Sequence, residues 1–148
     1  MPRWQALSAE YDCYVKESVT DLTEWYGGDD HSPAFTAYMQ AKIRQQEAFM
    51  AVDCEGVCLG IIAFSKTHNR ITFFAVSHRA DCHVAARALF DYTFARLDAS
   101  KPIYMNEIVS ESEWMKMHGT LYNVLGFVYF EDAMENGVPV RTLVKMPF

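Results

Sequence analysis

Three segments in the middle of the chain do most to limit its fold. A β-rich run, Ile71–Val76, is followed by a helical period from Cys82 to Leu97, then by a second β-rich run, Ile103–Val109. Within the helix, Ala86, Leu89, Phe90, Phe94 and Leu97 recur on one face, with Arg87, Asp91 and Asp98 on the other. Lys101-Pro102 breaks the helix before the second run. Two strands joined through a helix are free to lie parallel, which a short turn does not allow. This segment therefore predicts an α/β chain with a parallel pair inside its sheet.

The flanking segments predict antiparallel strands around that pair. Trp4–Leu7 reads as a short first strand. From Ser8, apolar residues at Tyr11, Val15, Val19, Leu22 and Trp25 or Tyr26 follow steps of three and four, which predicts a helix ended by Gly27-Gly28. Ser32-Pro33 supplies an N-cap and a first-turn proline for a second helix through Tyr38, Met39 and Ile43. Phe49–Cys54 and Val57–Ser65 read as strands about a Glu55-Gly56 hairpin turn, and Thr67–Arg70 as the turn into Ile71. Downstream, Ser112 caps a helix that Gly126 stops. Phe127–Glu131 and Val140–Lys145 then form strands around an Asn136-Gly137 turn. With no repeat and no linker, the 148 residues are expected to form one domain, a mixed central sheet with helices on both faces.

Charge and composition narrow the function classes. The net charge is −6 and no Lys/Arg cluster stands out, so the chain repels phosphate backbones and nucleic acid is not an expected partner. An acidic rim suits a cationic amine. No apolar run approaches the ~20 residues of a membrane span, and Met1-Pro2-Arg3-Trp4 leads into polar sequence without a secretory signal. A cytoplasmic protein with reduced thiols is expected. Cys54 and Cys58 invite a metal reading, but a two-residue turn pairs Asp53 with Cys58 and Cys54 with Val57, so the sulfurs point to opposite faces. Four unbound thiols are expected, and no metal.

The run Leu121-Tyr122-Asn123-Val124-Leu125-Gly126-Phe127 carries the chemistry. It reads as the last turns of a helix, a glycine stop and a strand that opens on an aromatic. With the order of elements around it, this run resembles the closing motif of the GNAT superfamily, the acetyl-CoA-dependent N-acyltransferases, and the resemblance covers essentially the whole chain. It implies that Tyr122 is the general acid that protonates the departing coenzyme thiolate. It implies that Ile71–Val76 and Ile103–Val109 splay apart to admit the pantetheine arm, with Phe74, Ala75 and Val76 as its backbone partners. The pyrophosphate is expected on backbone N–H groups of the His78–Ala86 loop and helix start, where a helix N-terminus favours negative charge. A primary amine, small-molecule or peptide, is the implied acceptor, and a homodimer is left open.

The chain departs from the family pattern at two places. The family's phosphate loop has Arg or Gln, two residues, Gly, one residue, then Gly or Ala. Here Asp81, Cys82, His83, Val84, Ala85 and Ala86 occupy those positions, and only Ala86 matches. Arg79 restores a basic residue in a shifted register. Weakened or altered coenzyme binding is the expectation, since valine hinders close backbone approach and Asp81 repels a diphosphate. The family's Asn and small residue, seven and four before the tyrosine, are Met115 and His118 here. Glu107 is the carboxylate candidate for the base that takes the amine proton; the same residue fits an ordinary solvated sheet position. Tyr122 falls beside the apolar face formed by Trp114, Met117, Leu121 and Val124. That placement fits either a groove or the edge of the core with the hydroxyl in water. The alternative to an enzyme is a GNAT-fold binding or interaction module that has lost catalysis.

Overall fold

The computed structural model describes residues 4–6, 14–16, 33–52, 58–76, 82–108, 121–135 and 137–147. These comprise eight strands and two helices: β1 (Trp4–Ala6), β2 (Tyr14–Lys16), α1 (Pro33–Arg44), β3 (Ala48–Val52), β4 (Cys58–Ser65), β5 (Arg70–Val76), α2 (Cys82–Phe94), β6 (Ile103–Ile108), β7 (Phe127–Glu135) and β8 (Val138–Lys145). A further helical turn covers 121–124. All eight strands join one sheet in the order β1-β2-β3-β4-β5-β6-β8-β7. Only β5 and β6 run parallel; the other six pairings are antiparallel. The helical crossover thus does what the sequence predicts.

Alternation along β3 separates the two faces. Phe49 and Ala51 join the core under α2 with Ile62, Phe64, Leu89, Phe90, Ile103 and Met105. Ala48, Met50 and Val52 join Ile61 and Ala63 in the other cluster, against Ile43 of α1. An extra residue in β5, Thr72, shifts the register between Ala63↔Phe73 and Phe64↔Ile71. This bulge lets Ile71, Phe74 and Val76 all reach the α2 side while Phe73 turns to the α1 side. At Gly60 a Cβ would lie 2.8 Å from Val76 Cγ1 and 3.0 Å from Leu89 Cδ1. The glycine leaves room on β4 for Leu89 of α2 and for the side chain of its cross-strand partner Val76.

Two expectations are corrected. Tyr14–Lys16, placed by periodicity in a helix, is a strand between β1 and β3. Tyr14 and Val15 are strand-favouring residues, and the ladders on both sides override a helical period that three residues cannot sustain. The Asp53↔Cys58 pairing is also overturned: Cys58 pairs with Val52, across a register shift, so the connection is longer than two residues. Cys54, the Glu55-Gly56 turn, and the expected helical residues 8–13 and 17–26 lie outside the described residues. Asn136 also lies outside the described residues, and the expected last hairpin closes at Glu135↔Val138 with Gly137 at φ 80. Its strands are longer than the sequence suggested, because β7 and β8 keep pairing outward to the turn.

Candidate functional site

The parallel pair is barely a pair. β6 is matched to β8 at six positions, Ile103↔Lys145 through Ile108↔Val140, but to β5 only at Arg70↔Tyr104. A backbone bond from the Tyr104 N–H to the Asn69 carbonyl, at 3.4 Å, lies at that contact. β5 continues from Arg70 to Val76 with its other edge on β4, so the two strands part immediately beyond their first residues. The backbone of β5 on that side, Phe74, Ala75 and Val76 included, faces a gap in the ladder. A parted strand pair of this kind leaves room for an extended ligand between its two edges.

The expected site residues converge beside this gap. Alternation places Glu107 on the same face of β6 as the buried Ile103 and Met105, toward α2. Tyr122, on the helical turn 121–124, packs edge-on to Phe74 of β5 and Phe90 of α2, at centroid distances of 6.1 and 6.0 Å. Phe74 and Phe90 are themselves 4.7 Å apart. Burial raises the Tyr122 phenol well above its ordinary range, and the Glu107 carboxylate raises it further. Burial also raises Glu107, opposed by its cross-strand partner Arg141. One residue from β5, one from β6 and one from the closing helix therefore meet on one side of the split.

Tyr122 is more deeply placed than expected. It is 5% exposed, a member of the core, whereas Val124 is 67% exposed. The buried residues of the turn are Leu121, Tyr122 and Leu125, so the apolar face is rotated by about one residue from the face read through Leu121 and Val124. Gly126 at φ +97 ends the helix as expected. Lys145 of β8 completes the stop: its Nζ donates to the Leu125 carbonyl at 2.6 Å and lies 5.2 Å from the centre of the Phe94 ring. Met115, Trp114, Met117 and His118 lie outside the described residues.

The start of α2 is arranged by its side chains as part of the core. Ala85 and Ala86 are fully buried and Val84 packs against the same cluster. Cys82 and His83 open the first turn, where the leading N–H groups of a helix have no partner within it. Val84 is half-buried against that cluster. Arg79 and Asp81 lie outside the described residues. Among the described residues no group of three His, Cys, Asp or Glu is arranged to hold a metal ion, and no helix is long and apolar enough to cross a membrane.

Sequence reasoning missed the residues that support the site. Phe90, Arg141 and Lys145 act through contacts between distant elements. On the opposite face, Asn106 accepts from Thr142 Oγ1 at 2.8 Å and donates to Glu135 at 3.3 Å, tying β6, β8 and β7 together. The period-two pattern of β6 predicts that Asn106 and Glu107 divide between the two faces, and they do.

Neither a protein-family model nor a curated protein matches the sequence. Solved structures do match it. A GNAT-family acetyltransferase from Bacillus cereus is 14% identical with a TM-score of 0.59, over 100% of this chain and 99% of that one. A Bordetella pertussis protein described as a GNAT-family acetyltransferase is 14% identical with a TM-score of 0.60, over 90% and 95%. A chain of the NatC complex, solved with Gag peptide and CoA, is 16% identical with a TM-score of 0.61, over 99% and 98%. The chain has the fold of the GNAT acetyltransferases, a mixed sheet covered by helices on both faces, as its closing motif implied.

Proposed function

We propose that the chain is a divergent GNAT superfamily member, an acyl-CoA-dependent N-acyltransferase that moves an acetyl group from acetyl-CoA to an amine. The carrying observation is the split parallel pair, with β5 and β6 joined only at Arg70↔Tyr104 and Tyr122 and Glu107 gathered beside it. The pantetheine arm lies along the open edge of β5 at Phe74, Ala75 and Val76. The diphosphate rests on the backbone N–H groups at Cys82, His83, Val84, Ala85 and Ala86, with Arg79 adding charge. The backbone donors need no particular side chain, so this mode of binding tolerates Val84, whose half-buried side chain packs against the core.

The residues divide the proton work. The amine nitrogen attacks the thioester carbonyl, a C–N bond forms, and the C–S bond breaks. Glu107 receives the proton that the amine loses, directly or through water. Its raised pKa brings it nearer to neutral pH, which favours a general base. Tyr122 donates its hydroxyl proton to the leaving thiolate. Burial keeps that phenol protonated in the free protein, so the proton is present to be given. The acceptor is an amine on a small molecule or a peptide; the NatC complex, solved with a peptide and CoA, supports including peptides.

The deep burial of Tyr122 favours a second reading, a coenzyme-binding module without turnover. Incubation with acetyl-CoA and a panel of polyamines, aminoglycosides and peptides, followed by thiol release and mass spectrometry of the amines, separates the two. Thiol release coupled to acetylated amine supports the enzyme. Coenzyme binding with no acetylated amine from any acceptor supports the module.

A further inference from the structure

The parallel pair is held at one point, and a single side chain closes that point. Asn69, the residue before β5, is 8% exposed and adopts φ 52. Its amide nitrogen donates to the carbonyls of Asp98 and Pro102, both at 3.0 Å. Its amide oxygen accepts from the Asp98 N–H at 2.8 Å. Its own carbonyl accepts from the Tyr104 N–H at 3.4 Å. Asp98 and Pro102 bound the segment that returns the chain from α2 to β6. The side chain thus binds both ends of that return, and the main chain binds β6 itself.

We propose that Asn69 is the positioning residue of the split, pinning its apex so that β5 and β6 diverge at a fixed angle and hold the acyl-CoA arm between them. The inference rests on the acyl-CoA reading above. A parallel pair matched at a single position has little of its own to set the strand angle. The Asn69 bonds supply what the missing ladder does not, because they join the turn before β5 to the residues before β6. A groove held at its bound width loses less freedom on binding, so it binds more tightly than one that must first be ordered. Asparagine also suits the backbone here, since it tolerates the left-handed region better than most residues.

The test uses Asn69→Gly, which keeps the left-handed backbone and removes all three side-chain bonds. Two quantities are read on wild type and variant: amide exchange at Asp98 and Tyr104, and the dissociation constant for CoA by calorimetry. The variant is expected to lose protection at both amides while the β6–β8 ladder keeps its own. Its CoA affinity is expected to fall by about tenfold, with the KM for acetyl-CoA rising in step and the KM for the amine unchanged. Asn69→Asp keeps the acceptor for Asp98 N–H but sets a carboxylate against two carbonyls; it is expected to lose protection at Tyr104 and CoA affinity while Asp98 stays protected, and it serves if the glycine variant does not fold. A folded variant with wild-type CoA affinity overturns the proposal and leaves Asn69 a structural staple. A wild type that binds no CoA overturns the acyl-CoA reading itself, and with it the role given to Asn69.

Discussion

Lys145 joins the last strand to the helix that carries Tyr122, and its removal has a cost that follows from the contacts. Lys145→Met keeps the aliphatic stem against Phe94 and Gly126 but removes the ammonium. The lost bond to the Leu125 carbonyl is short, at 2.6 Å, and charge-assisted. Such bonds contribute about 1.5–3 kcal/mol. A cation in the last turn of a helix adds about 0.3–1 kcal/mol, and its place near the Phe94 ring about 0.5–1 kcal/mol. Returning the ammonium to water in the unfolded state offsets part of this, so a net loss of about 2 kcal/mol is expected. For a chain of this size that is a drop in Tm of about 4–8 °C. Urea denaturation at constant m-value measures it directly. A loss below about 0.5 kcal/mol, the range of an ordinary surface substitution, would refute the claim that Lys145 holds the helix stop.

Further outcomes follow from the site and its supports. Tyr122→Phe keeps the ring contacts to Phe74 and Phe90 and removes the proton donor, so single-turnover acetyl transfer should fall by about 10²–10⁴-fold with CoA affinity little changed. The base form of Glu107 is the ionised one, and burial raises its pKa, so the acid limb of kcat/KM should lie above the usual carboxylate range. Arg141 opposes that rise, so Arg141→Met should move the limb to still higher pH; a limb unmoved in the pH profile removes Glu107 as the base. Gly60→Ala places a methyl 2.8 Å from Val76 Cγ1; the resulting overpacking should cost about 1–3 kcal/mol, read by chemical denaturation.

What was legible in the sequence was mainly local. Ser32-Pro33 marked the start of α1, and Asn136-Gly137 marked the last hairpin, because caps and tight turns depend on adjacent residues. The βαβ order of β5, α2 and β6 was legible for the same reason, and the parallel pair followed from it. Tyr14–Lys16 was misread because three residues carry no period of their own, and their strand character comes from partners at Trp4–Ala6 and Met50–Val52. The face of Tyr122 was misjudged because its ring partners, Phe74 and Phe90, come from two elements distant in sequence. Asn69 stood in an expected turn, but its partners are 29 and 33 residues away, and a turn signal says nothing of them. The place of each chemical residue on its element was therefore readable, while the packing that aims it was not.

The most direct test of the account is the structure of the chain with CoA bound. The account predicts the pantetheine arm between β5 and β6, with its amides bonded to the backbone of Phe74, Ala75 or Val76 and its sulfur beside Tyr122. A coenzyme bound elsewhere, or a β5–β6 ladder that closes beyond Arg70↔Tyr104 and leaves no split, would contradict it.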